Sequence, residues 1–149
     1  MSELKPFDDR LAALIASLSP ASRRKMATEI AKQLRKGQQQ RIKRQQAPDG
    51  TPYASRKRQP VLGKQGRVKR AMFAKLRTNR YMKAKGSNDD AVVEFVGRVQ
   101  RMARVHQEGL RDRPRRYSKD VRYKARPLLG FNMQENQRIE SILTAYLIK

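Results

Sequence analysis

Residues 91–96 read Ala-Val-Val-Glu-Phe-Val, residues 101–109 read Arg-Met-Ala-Arg-Val-His-Gln-Glu-Gly, and residues 125–131 read Ala-Arg-Pro-Leu-Leu-Gly-Phe. The first block is β-branched and aromatic, with Val93 and Phe95 alternating on one face, which predicts a strand. In residues 98–108, Val99, Met102, Ala103 and His106 fall at helical spacing, and Gly109 supplies a residue suited to stopping a helix. Val121, Tyr123 and Ala125 alternate with Arg122, Lys124 and Arg126, which predicts a strand over 121–126 that Pro127 ends.

N-terminal to this stretch, Phe7, Leu11, Leu14, Ile15 and Leu18 mark a short amphipathic helix over 7–18. Ser19-Pro20 restarts the chain as cap and first helical residue, and Met26, Ile30 and Leu34 form one stripe that Ile42 extends past Gly37. The two helices are expected to pair antiparallel. Residues 46–67, with Pro48, Asp49, Gly50, Pro52, Pro60, Gly63 and Gly66, predict an extended basic loop. A short helix is expected over 68–76, then a hairpin with strands 77–85 and 91–96 around the loop 86–90. Residues 110–119 are polar and basic around Pro114, hence a loop. Asn132 and Glu135 have capping-box spacing, and Ile139, Ile142, Leu143, Tyr146 and Leu147 stripe a last helix over 132–149.

The fold class expected from these elements is α+β. A small antiparallel sheet of 77–85, 91–96 and 121–126 packs with the N-terminal helical pair and the C-terminal helix. A chain of 149 residues is expected to form a single domain, 1–149. Within it, 1–45 hold the helical pair, 46–67 the basic loop and 68–149 the α/β core. Apolar residues make up 38% and charged residues 33%, so the core is modest and support from other subunits is expected.

The net charge of +23 attracts polyanions. No acid occurs between Asp49 and Asp89, and such a single-sign block is an interaction surface or a disordered arm. Phosphate neutralisation would give sequence-indifferent nucleic-acid binding, but only Tyr53, Phe73 and Tyr81 interleave with the charges and no reader motif is present. A small basic nucleic-acid-binding protein and a cationic protein-binding surface both remain open. Arg56, Arg58, Lys64, Arg67, Lys69 and Arg70 are the residues expected to contact a partner.

An enzyme is not expected. With one His, no Cys and scattered carboxylates, the chain offers neither a base beside a nucleophile nor a metal-ligand cluster, so no catalytic, cofactor or metal residues are assigned. His106, on an apolar face without an acid-base partner, reads as a structural imidazole. Residues 63–66, Gly-Lys-Gln-Gly, lack phosphate-loop spacing. The absence of cysteine fits a reducing compartment, and with no signal peptide or bilayer-spanning run the chain is expected to be soluble and intracellular at synthesis, without membrane contact.

The order Pro-Asp-Gly-Thr-Pro-Tyr at 48–53, a hairpin, Met-Ala-Arg-Val-His-Gln-Glu-Gly at 102–109 and Ala-Arg-Pro-Leu-Leu-Gly-Phe at 125–131 resembles the virion morphogenesis (tail completion) proteins of contractile-tailed temperate phages. The resemblance covers nearly the whole chain. It implies a structural protein at the head-proximal end of the tail, assembled in host cytoplasm, carried in the virion and needed for head-tail joining. Such tail-end proteins usually form rings, commonly sixfold, against the tail tube protein and head-connector or neck proteins. A lumen through which DNA passes would allow non-specific DNA contact. Tyr53 then stands in the family's Pro-Asp-Gly-aromatic element, where many relatives carry Trp. Tyr53, Arg101, Arg104, His106, Gly109, Arg126 and Pro127, with the rest of 126–131, are the expected structural positions.

Overall fold

The structure, a computed structural model, describes residues 5–56, 71–114 and 116–148. The elements are α1 (Lys5–Ala16), α2 (Pro20–Lys43), β1 (Met82–Gly86), β2 (Ala91–Phe95), α3 (Gly97–Glu108), β3 (Arg111–Asp112), β4 (Val121–Arg122) and α4 (Met133–Ile148). The class is α+β. The chain forms two compact units, one drawn from residues 5–35, 84–93 and 133–148, the other from 36–56, 71–83, 94–114 and 116–132. Helix α2 and the β1–β2 hairpin contribute residues to both.

In the first unit, α2 begins as its residues dictate. Ser19 accepts the Ser22 N–H at 3.1 Å, satisfying an otherwise orphaned amide, and Pro20 opens the helix where its missing N–H costs nothing. Met26, Ile30 and Leu34 form a buried stripe. Around it pack Ile15 of α1, Leu18, Ala91 and Val93 of β2, and Ile139, Ile142, Leu143 and Tyr146 of α4. The Tyr146 hydroxyl donates to Glu29 at 2.8 Å. Helix α4 starts at Met133, which leaves Asn132 and Glu135 at cap and third helical positions.

The loop of the β1–β2 hairpin is closed by Ser87, whose N–H donates to the Asp90 carbonyl at 2.8 Å. Its hydroxyl oxygen accepts the N–H groups of Asp89 and Asp90 at 3.2 and 3.0 Å. Gly86 belongs to β1 rather than to the loop. A Cβ there would fall 2.2 Å from the Thr28 backbone nitrogen, so the strand can approach α2 this closely only without a side chain.

In the second unit, α2 ends in a Schellman arrangement. The Gln45 N–H reaches the Ile42 carbonyl at 2.8 Å and the Gln46 N–H reaches that of Arg41 at 3.3 Å, with Gln45 at φ +59°. A Gly would adopt that conformation without strain. The Gln45 side chain offsets the strain by accepting the Met72 N–H at 3.1 Å and donating to the Met72 carbonyl at 2.8 Å. Helix α3 stops at Gly109, φ +70°, and β3 pairs antiparallel with β4 in the register Arg111↔Arg122, Asp112↔Val121.

Several expectations are corrected. Residues 121–126 do not join the hairpin: the sheets are two separate two-stranded pairs, and β3 lies in a segment read as loop. The first hairpin strand begins at Met82, not at 77, because Thr78 turns the chain locally, its hydroxyl donating to the Lys75 carbonyl at 2.6 Å. The described part of the expected 68–76 helix is turns: Phe73, at φ +65°, breaks helical continuity. Within the expected loop, residues 46–53 form a tight turn, in which Gln46 bridges to Pro52, the Gly50 N–H donates to the Ala47 carbonyl at 2.9 Å and Asp49 accepts the Thr51 N–H at 2.9 Å.

Two glycines give a paired test. Gly86→Ala should lower the urea-unfolding free energy by about 1–3 kcal/mol through overpacking. Gly97→Ala, whose Cβ meets nothing within 4 Å, should be neutral or stabilising by up to about 1 kcal/mol.

Candidate partner-binding site

The second unit is built around residues 125–130, an irregular segment holding the fully buried Leu128. Its backbone has no strand to pair with, and buried amides and carbonyls left unpaired are costly. Side chains and helix-end groups supply the partners. The carboxamide of Gln107 on α3 accepts the Leu128 and Leu129 N–H groups at 2.7 and 2.9 Å and donates to the Leu129 carbonyl at 3.0 Å. From α2, Gln38 accepts the Gly130 N–H at 3.0 Å, and the Arg41 guanidinium donates to the Leu128 carbonyl at 3.1 Å and to Gln38. The Tyr53 hydroxyl donates to the Pro127 carbonyl at 2.8 Å, and the Arg126 N–H caps the His106 carbonyl at 2.7 Å.

Arg126 is itself buried. Its Nε and Nη2 donate to the carbonyls of Ala54 and Ser55 at 2.8 and 3.0 Å, which ties the 46–56 turn to the segment. Gly130 allows the same approach from the other side, since a Cβ there would lie 2.4 Å from Pro48 Cγ. Burial, and then the neighbouring Arg56 charge, lower the Arg126 pKa below its usual range. Desolvation pushes the Tyr53 phenol up to about 12, against the opposing pull of Arg41.

Beside this segment runs an aromatic row. Tyr53 meets Phe73 edge-on with centroids 5.7 Å apart, Phe73 meets His106 at 5.0 Å and His106 meets Tyr123 at 4.8 Å. Phe73, His106 and Tyr123 of this row line a cleft of about 710 Å³, lined also by Met72 and Val121 and by the basic residues Arg56, Arg122, Lys124 and Arg126. Among the described residues no carboxylate lines it. His106 Nδ1 is buried without a hydrogen-bond partner, and desolvation, then the Arg126 charge, lower the imidazole pKa against a smaller raising effect of Asp112.

The structure thus brings Tyr53, Arg56, His106, Gly109, Arg126 and Pro127 together in this unit. Arg101 and Arg104 belong to the same unit but lie on the exposed side of α3, where they pair with Asp112 at 2.8 Å and Glu108 at 3.2 Å. Arg58, Lys64, Arg67, Lys69 and Arg70 lie outside the described residues. Sequence reasoning missed Gln38, Arg41, Gln45 and Gln107. A signal existed for two of them: Gln38 continues the Met26-Ile30-Leu34 stripe at i+4, and Gln107 stands at i+4 from buried Ala103. A polar residue on an apolar stripe marks a buried hydrogen-bonding role. Among the described residues no group of three or more His, Cys, Asp or Glu side chains is placed to hold a metal ion.

Gln107→Ala strands three backbone groups and should cost at least about 2 kcal/mol in urea unfolding, against at most about 0.5 kcal/mol for the exposed Arg104→Ala. For His106, the folded pKa lies below 6.5, so the unfolded chain takes up the proton first. Stability present above about pH 6.5 is lost as pH falls through the folded value. As His106 is the chain's single histidine, His106→Phe should flatten the stability profile below about pH 6.5.

No solved structure matches the chain. It is 51% identical over 148 residues to the tail completion protein S of Escherichia phage P2, an alignment covering 99% of each protein. The sequence profile of the phage virion morphogenesis family matches residues 2–148. The chain belongs to the phage virion morphogenesis family.

Proposed function

We propose that the chain completes the head-proximal end of a contractile phage tail and so allows the tail to join the head. The observation that carries this reading is the 51% identity to a tail completion protein over 99% of both lengths. The role is structural: the subunit acts as a ring of copies, six in the expected case, against the tail tube protein on one side and head-connector or neck proteins on the other. It is made in host cytoplasm and carried in the virion.

Two features of the surface support an assembling subunit. Phe7, Phe131, Met133 and Ile148 are exposed by 64%, 64%, 76% and 78%, apolar area that a partner would remove from water. The +23 charge suits acidic protein surfaces or passing DNA without base readout.

The test is complementation. Supplied in trans to a P2-like phage lacking its own tail completion protein S, the chain should restore head-attached tails in electron micrographs and plaque formation. Free heads and free tails persisting despite normal expression would refute the reading. The purified chain should show rings in negative stain.

A further inference from the structure

The acid-free cleft is the starting point, and what is inferred from it rests on the ring-subunit reading. The neighbouring cleft along Arg98, Arg101, Arg111 and Arg113 holds its own acids, with Arg101 paired to Asp112 and Arg113 to Asp120. The aromatic cleft is different. Its rim of Arg56, Arg122, Lys124 and Arg126 includes no carboxylate, and the described partners of Arg126 are neutral carbonyls. In the β3–β4 ladder Arg122 stands directly opposite Arg111, a like-charge pairing that costs stability and that a bound anion would relieve. The cleft therefore calls for an apolar body flanked by acids. At about 710 Å³ it has the size of a binding pocket rather than a packing defect.

Helix α1 offers that chemistry. It has no buried residue; Ile15 packs on the core, while Phe7 and Leu14, at i and i+7, remain exposed. Phe7 is followed directly by Asp8 and Asp9, both exposed. The other adjacent acid pair, Asp89-Asp90, sits in the hairpin loop, where Ser87 holds Asp90 at 2.8 Å and no aromatic residue adjoins it. Asp9 has a competing partner, Lys5 at 3.1 Å, but both side chains are more than 60% exposed and such a pair exchanges at little cost.

We infer that the cleft receives the N-terminal helix of a second copy of this chain, with Phe7 entering against Phe73, His106 and Tyr123 and with Asp8 and Asp9 meeting the Arg122 and Lys124 rim. Donor and acceptor surfaces differ, so the contact is head-to-tail and leads to a ring when the rotation closes. Desolvated acid-base pairs around an aromatic anchor give such a contact its register.

The test uses full-length chains in analytical ultracentrifugation. Phe7→Ala, Asp8→Lys/Asp9→Lys and Arg122→Glu/Lys124→Glu should each weaken self-association at least about tenfold. A control of equal charge change on α2, Lys25→Glu/Lys32→Glu, should assemble as the unaltered chain does. The Asp8→Lys/Asp9→Lys chain retains an intact cleft, and the Arg122→Glu/Lys124→Glu chain retains an intact helix. Mixed in equal amounts they should associate, through the intact helix on the intact cleft and through the charge-reversed pair, whereas neither associates alone.

Oligomers that persist in all three variants, equal weakening by the α2 control, or no association on mixing would overturn the inference. So would a chain that stays monomeric at about 100 µM, or one that assembles only when a dT12 oligonucleotide is added, which would assign the cleft to single-stranded nucleic acid. Phage rescue separates the two readings. Rescue by variants whose oligomers are unaltered removes this contact and leaves tail completion standing, whereas failure of the unaltered chain to rescue removes tail completion itself.

Discussion

The second unit depends on one constraint: residues 125–130 are held inward without a strand to pair with, so their buried backbone groups need side chains and the end of α3 to answer them. Gln107, Gln38, Arg41 and Tyr53 provide those answers from α3, α2 and the turn at 46–53. The Gln107 carboxamide accepts two N–H groups on its oxygen while its nitrogen donates to a carbonyl, so one side chain answers three backbone groups. The arrangement is cooperative in the unfavourable direction too. Removing one partner leaves a desolvated peptide group with no water to replace it.

Fixing this segment fixes what lies beside it. The Arg126 backbone caps the end of α3 through the His106 carbonyl, and its guanidinium draws in the carbonyls of Ala54 and Ser55. That places Tyr53, Phe73, His106 and Tyr123 in edge-to-face sequence and sets the cationic rim above them. Phe73 holds a left-handed backbone, unusual for an aromatic residue and costing about 1–2 kcal/mol. Its two ring contacts and the Gln45–Met72 clasp next to it oppose that cost.

Periodic elements were legible in the sequence because burial imposes its period on residue choice. The α2 stripe, the strand at 91–95, α3 with its Gly109 stop and α4 all follow from spacing, as did the family, from three motifs in order. The segment after Val121 misled for a definite reason. Val121, Tyr123 and Ala125 alternate like a strand, but a strand needs a free edge opposite it. Here the chain before Leu110 is α3, whose backbone is already bonded internally, so the ladder ends after Arg122 and the Tyr123 N–H reaches the Leu110 carbonyl as its last rung. Arg101 and Arg104 were singled out for their place in a motif. Their exposure shows that a motif's spacing does not say which of its residues face inward.

The central claim, that side chains hold 125–130 as firmly as a helix or sheet would, is tested most directly by amide hydrogen exchange. The Leu128, Leu129 and Gly130 amides should exchange as slowly as those of Ala103 and Val105 within α3, and Gln107→Ala should release Leu128 and Leu129 first. Exchange of these three amides at the rate of an unstructured chain, while α3 stays protected, would contradict the account.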